Sequence, residues 1–133
     1  MKARLAPHAF PREFRLLRRA QFQRVYEEGQ RKSVSLCTIF YKSNGLPQSR
    51  LGVTATSRLG NAVTRNRVKR LLREIFRRHR REIPAGWDLV LNPRQAVVKV
   101  AFLSLEREIL RLFPRTTPPA PKGDTAPAGA PVQ

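Results

Sequence analysis

Between Glu13 and Glu28 the apolar residues Leu16, Leu17, Phe22, Val25 and Tyr26 recur near helical spacing. That period predicts an amphipathic first helix, and Gly29 is a suitable C-terminal stop. From Lys32 the texture changes. Val34 to Tyr41 is rich in β-branched and aromatic residues, and Leu51 to Thr56 alternates Leu51, Val53 and Ala55 with Gly52, Thr54 and Thr56. Ser43-Asn44-Gly45 and Pro47 between them supply turn chemistry, which predicts two antiparallel strands joined as a hairpin. Asn61 is placed to cap a second helix running to about Glu82, with Val68, Leu71, Leu72, Ile75 and Phe76 on one face.

Pro84 and Gly86 end that helix, and Trp87 to Leu91 reads as a short buried strand closed by Asn92-Pro93. A third helix is expected from Phe102 to Leu112, with Leu105, Ile109 and Leu112 inward. Glu106 and Glu108 precede Arg111 in it, which suits the helix dipole. Residues 1–12 read as a basic arm punctuated by Pro7 and Pro11, 13–113 as one domain, and 114–133 as a Pro/Ala-rich disordered tail with too little apolar surface to offset its ordering entropy. The order is helix, strands, helix, strand, helix. It predicts an α+β fold: a small two-layer sandwich of helices on a central, mostly antiparallel sheet.

Composition adds a partner. The chain has 133 residues, with 27 Lys and Arg against 9 Asp and Glu, a net charge of +18. Charge on that scale repels itself in a compact state, and a polyanion relieves it. No apolar run approaches the roughly 18 residues of a membrane span, and the N-terminus has no signal-peptide core, so neither a membrane nor secretion is expected. A single cysteine, Cys37, suits a reducing cytoplasm.

The charge is concentrated. From Arg65 to Arg81 nine basic residues face one acid, Glu74. A solvated helix face normally mixes signs, because like charges one turn apart destabilise it. Phosphate is the simplest compensation, and Arg can clasp it with two parallel hydrogen bonds. Arg65 and Arg67 also stand near a helix N-terminus, where the backbone already favours an anion, and Asn66 between them can donate and accept. This density alone does not separate RNA from DNA.

The run Leu59-Gly60-Asn61-Ala62-Val63-Thr64-Arg65-Asn66-Arg67-Val68-Lys69-Arg70-Leu71-Leu72-Arg73 closely resembles the signature of the bacterial ribonuclease P protein subunit. The likeness extends from about Phe14 to Phe113. It implies a fold like the second domain of ribosomal protein S5. It also implies assembly with a catalytic RNA, ribonuclease P RNA, that removes the 5′ leader of precursor tRNA. The enzyme is then the holoenzyme: cleavage belongs to the RNA with Mg²⁺, no protein side chain is catalytic, and no obligate protein partner is expected. By this resemblance Arg65, Asn66, Arg67, Lys69, Arg70 and Arg73 contact the catalytic RNA.

The resemblance further implies a leader-binding cleft between the first helix and the sheet, lined by Phe22, Tyr26, Thr38, Phe40 and Arg58. The spacing is compatible, since Phe22 and Tyr26 share a helical face and Thr38 and Phe40 a strand face. Single-stranded RNA also wants aromatic platforms in basic surroundings. From the pattern alone, Phe22 and Tyr26 read first as core; the resemblance favours the cleft, with Phe22 partly serving both. Two departures touch this cleft. Ser57-Arg58 stands where many relatives carry two lysines, and Phe40 where a tyrosine is common.

The remaining chemistry-bearing residues read blandly. Cys37 is expected to be a buried strand residue, Trp87 a packing residue and Asp88 a member of a surface pair. His8 and His79 have no companion at metal-ligand spacing, and no carboxylate pair or Gly-rich phosphate loop suggests an independent nuclease. The rival functions are a structural, ribosomal-type RNA-binding protein and a dimeric DNA-binding protein. For the latter the sequence offers neither a dimer seam nor a helix-turn-helix.

Overall fold

The computed structural model describes residues 14–118. The basic arm, His8 and all but the first few residues of the expected tail lie outside the described residues. Three helices and four strands follow in the order α1 (Arg19–Glu28), β1 (Gln30–Ser33), β2 (Cys37–Ser43), β3 (Arg50–Val53), α2 (Ala62–Arg78), β4 (Trp87–Pro93) and α3 (Phe102–Leu110). Short 3-10 turns at Ser57–Leu59, Arg80–Glu82 and Gln95–Lys99 join them.

The first helix starts later than its apolar period suggests. Leu16 N donates to the Leu51 carbonyl at 3.0 Å, and Arg15 bridges Leu51 in parallel. This stretch is extended along the free edge of β3 and cannot also be helical. The helix begins after Arg18, where Gln21 Oε1 folds back to accept from the Leu17 and Arg18 amides at 2.8 and 2.9 Å, satisfying donors that a helix start leaves open. The second helix begins as expected: Asn61 Oδ1 accepts from Thr64 N at 3.0 Å.

The sheet order is β1-β2-β4-β3, with β1/β2 and β2/β4 antiparallel and β3/β4 parallel. The hairpin expected between Val34–Tyr41 and Leu51–Thr56 is therefore absent, because β4 lies between those strands. The turn residues around Ser43 instead carry the chain across the start of β4. Asn44 N donates to the Gly86 carbonyl at 2.8 Å, and Trp87 N donates to Ser49 Oγ at 2.9 Å. The real hairpin is β1–β2, and β1, Gln-Arg-Lys-Ser, is exposed throughout. An all-polar edge strand leaves no apolar alternation to read. β4 takes the centre because Trp87 to Leu91 is buried on both faces.

That central position buries Asp88, which is not the surface residue its sequence setting suggests. Arg50 grips it with Nε and Nη2 at 2.8 and 2.7 Å, and Asn44 Nδ2 adds a third bond at 2.9 Å. A buried carboxylate is tolerable because its lone pairs are met.

Side chains alternate between the two sheet faces. Cys37, Ile39, Leu51, Val53, Leu89 and Leu91 join Val68, Leu72, Ile75 and Phe76 of α2 and Leu105 and Ile109 of α3 in the main core. Val90 faces the other way and meets Leu16 and Val25, with Phe22, Tyr26 and Phe40 packed around them. The sandwich thus has a second, smaller cover, α1. Cys37 is fully buried and its thiol is pushed up to about 12 by that burial, so it stays protonated. Trp87 packs edge-on against Tyr41 and donates from Nε1 to the Thr116 carbonyl at 2.9 Å. This bond holds residues on which the expected tail begins.

Candidate nucleic-acid interface

The basic residues of α2 divide into two sets. Glu74 binds Arg77 through two bonds, at 2.9 and 2.7 Å, and Arg78 through one at 2.9 Å. These cations hold its carboxyl down to about 2, the hydrogen bond from Arg77 being the main cause. Among the described residues, Arg65, Arg67, Lys69, Arg70 and Arg73 form no ion pair.

A groove of about 570 Å³ runs beside α2, lined by Arg15, Asn66, Lys69, Arg70, Leu71, Arg73, Glu74, Arg78 and Phe102. It gathers four of the six residues expected to meet the catalytic RNA. Arg73 is half-buried in it, and burial, followed by the nearby charge of Arg15, pulls its pKa below the usual arginine value. A cation so poorly solvated gains more than an exposed one from an arriving anion. Arg65 and Arg67 do not line this groove. Two residues apart on a helix, they lie roughly 200° apart around its axis, so the two arginines of the signature point to opposite sides of α2.

The second surface is a cleft of about 490 Å³ on the α1 side of the sheet, lined by Arg31, Thr38, Phe40, Thr54, Thr56, Arg58, Asn92, Pro93, Arg94 and Gln95. Thr38, Phe40 and Arg58, expected from the sequence, are in its wall. Tyr26 stands at its edge, with its ring 4.8 Å from that of Phe40 in an edge-on arrangement. Its hydroxyl contacts Thr54 Oγ1 at 2.7 Å and donates to Asn92 Oδ1 at 2.9 Å. Phe22 is not in the wall. Its ring lies over Gly52, where a Cβ would stand 2.5 Å from two ring carbons, so Phe22 seats α1 on the sheet.

Sequence reasoning missed Arg31, Thr54, Thr56, Asn92 and Arg94. Arg31 lies on the unrecognised strand β1, opposite Phe40. Arg94 reaches Thr38 Oγ1 from its Nη2 at 3.1 Å, across 56 residues of chain. The alternation of Val90 and Asn92 with Leu89 and Leu91 was the available signal, because it sets Asn92 on the face of Val90.

These two surfaces can be compared with known proteins. A family model for Ribonuclease P matches residues 10–117. This chain belongs to that family. The ribonuclease P protein component of Thermotoga sp. (strain RQ2) is 35% identical over 111 residues, covering 80% of this chain and 95% of that protein. The one from Natranaerobius thermophilus is 38% identical over 92 residues, or 69% and 80% of the two chains. Among solved structures, the RNase P protein from Thermotoga maritima superposes with a TM-score of 0.73 at 33% identity, covering 78% of this chain and 98% of that one. The Staphylococcus aureus RNase P protein gives 0.70 at 29% identity, covering 74% and 91%. The α+β fold expected from the sequence is the fold of these structures. The family's function, that of a ribonuclease P protein subunit, is the function of this chain.

Proposed function

We propose that this chain binds ribonuclease P RNA through the α2 groove and the 5′ leader of precursor tRNA through the cleft over the sheet, promoting leader removal. The observation that carries this reading is the presence of two separate cationic surfaces of different character. The groove offers unpaired cations for a phosphate backbone; the cleft adds a half-exposed aromatic ring and hydrogen-bonding groups, suited to an unpaired nucleotide. A purely structural RNA-binding role requires only the first.

Cleavage chemistry in this reading resides in the RNA with Mg²⁺, and the protein raises affinity for substrate. Among the described residues no group of three or more His, Cys, Asp and Glu stands together to hold a metal ion, and no helix is long and apolar enough to cross a membrane. The holoenzyme would work in the cytoplasm, on precursor tRNA.

Reconstitution tests this. Added to a bacterial ribonuclease P RNA at low Mg²⁺, the protein is expected to restore correct 5′ cleavage that neither component achieves alone. RNA binding without such rescue would move the assignment to a structural role.

A further inference from the structure

The Tyr26 hydroxyl meets two polar side chains, Thr54 Oγ1 at 2.7 Å and Asn92 Oδ1 at 2.9 Å. A phenol has one proton to give. Since Tyr26 donates it to Asn92 Oδ1, Thr54 must donate to Tyr26, and the relay runs one way, from Thr54 through Tyr26 to Asn92. It takes one lone pair of the amide oxygen and holds that oxygen at Tyr26. The Asn92 NH₂ group is left with its two donors.

That group opens to the cleft. Asn92 lines it. Among the described residues Nδ2 has no hydrogen-bond partner, and no buried side-chain N or O atom lacks one, so Nδ2 is open to solvent. Thr54, Thr56 and Gln95 carry acceptor oxygens elsewhere in the wall, so the donor character is local to Asn92 and its neighbours. Thr38, paired with Asn92 across the strands, already has its Oγ1 between Ser33 and Arg94. Arg31, Arg58 and Arg94 are donors only. Phe40, opposite Val90 one register step away, leaves part of its ring exposed as a stacking surface.

We infer that Asn92 is a specificity-determining residue: its amide N–H groups, oriented by Tyr26, favour a leader nucleotide with a carbonyl oxygen at pyrimidine C4 or purine C6 over one with an amino group at that position. Uracil and guanine satisfy the donors. Cytosine N4 and adenine N6 at the same position set donor against donor there, so the amide must turn to a ring nitrogen or lose the bond. This rests on the leader-cleft reading, with stacking on Phe40 supplying affinity and Asn92 supplying choice.

The experiment uses the holoenzyme assembled from this protein and a bacterial ribonuclease P RNA. Its substrates are precursor tRNAs carrying oligouridine leaders in which one uridine at a time is replaced by cytidine, with mature tRNA as reference. Uracil and cytosine are nearly equal in size, so the ratio of their affinities reports the carbonyl-to-amino exchange at C4 together with the loss of the N3 proton. The wild-type holoenzyme is expected to bind uridine about three- to tenfold more tightly at one leader position. Asn92→Asp, near-isosteric and acceptor-only when ionised, is expected to reverse that preference; its added negative charge weakens both substrates alike and cancels in the ratio. Tyr26→Phe, which frees the amide to rotate, is expected to flatten it.

A wild-type holoenzyme indifferent at every position would overturn the inference, as would Asn92→Asp lowering all affinities with the ratio unchanged. In either case Phe40→Ala separates this failure from that of the cleft. If Phe40→Ala weakens precursor but not mature tRNA, the leader cleft stands and only Asn92 loses its role. If it weakens neither or both equally, the cleft reading falls too.

Discussion

The groove and the cleft are both cationic, yet they are built in different ways. The groove takes Asn66, Lys69, Arg70, Leu71, Arg73, Glu74 and Arg78 from one helix, adding only Arg15 and Phe102 from elsewhere. The cleft takes its wall from β1, β2, the segment after β3, the 3-10 turn at Ser57–Leu59, β4 and the residues after it, with Tyr26 of α1 at its edge. A surface carried on one helix survives changes in the position of its neighbours. A surface shared among six segments depends on the seating of each.

The sharpest way to break that comparison is to unseat α1. Gly29, where α1 passes into β1, has φ −88°, so any residue could adopt its backbone conformation. A Cβ there would nevertheless stand 2.5 and 2.6 Å from the carbonyl oxygens of Val25 and Tyr41. Backbone on both sides cannot yield cheaply, and Gly29→Ala is expected to cost about 3 kcal/mol of unfolding free energy, measured by chemical denaturation. In the fraction that stays folded, preference for precursor over mature tRNA should fall while ribonuclease P RNA binding persists. Equal loss of both activities would show that the two surfaces are not independent.

On the groove side, Arg70→Ala with Arg73→Ala is expected to weaken binding of ribonuclease P RNA and flatten the plot of log affinity against log salt by roughly 0.7–0.9 per lost phosphate contact. An unchanged slope would mean that neither side chain touches phosphate. Arg67→Ala, outside the groove, serves as the comparison on the same helix. In the cleft, Phe40→Ala removes the stacking face. It is expected to reduce precursor affinity by about 1 kcal/mol, read as the ratio to mature tRNA, with the groove's salt slope unaltered.

The smallest effect concerns the joint between α2 and α3. His79, just past the end of α2, contacts Glu106 Oε2 of α3 at 2.8 Å and Glu82 Oε1 at 3.2 Å. Burial works against the protonated ring, but the hydrogen bonds to Glu106 and Glu82 outweigh it and raise the pKa above 6.5. A group whose folded pKa is raised contributes stability that is complete below 6.5 and lost as pH rises through the folded value. The Tm of the wild type should therefore fall across that interval relative to His79→Gln. Parallel curves would remove His79 as the cause.

Much of the helical half of the molecule was legible in the sequence. The Asn61 cap, the inward face from Val68 to Phe76 and the excess of arginine depend on residues within a turn or two of one another. Periodicity, capping and local charge express exactly such short-range forces; the family signature lies in the same stretch. The sheet was less legible, since its order depends on partners far apart in sequence. Ser43-Asn44-Gly45 does turn the chain, but a turn does not specify which strand will be the neighbour. The unbroken apolar run Leu89-Val90-Leu91 demanded cover on both faces, which α2 and α3 supply on one side and α1 on the other, with β4 lying between β2 and β3.

The sequence by itself therefore determined that this is a basic α+β protein with a capped arginine-rich helix, and which family it resembles. Tertiary structure decided the rest: that Phe22 seats α1 while Tyr26 reaches the cleft, that Asp88 is buried against Arg50, and that Arg31, Asn92 and Arg94 meet in one place. The physical reason is range. Helix signals are written within a few residues, whereas strand order and the contents of a cleft arise only when distant segments compete to bury the same apolar surface.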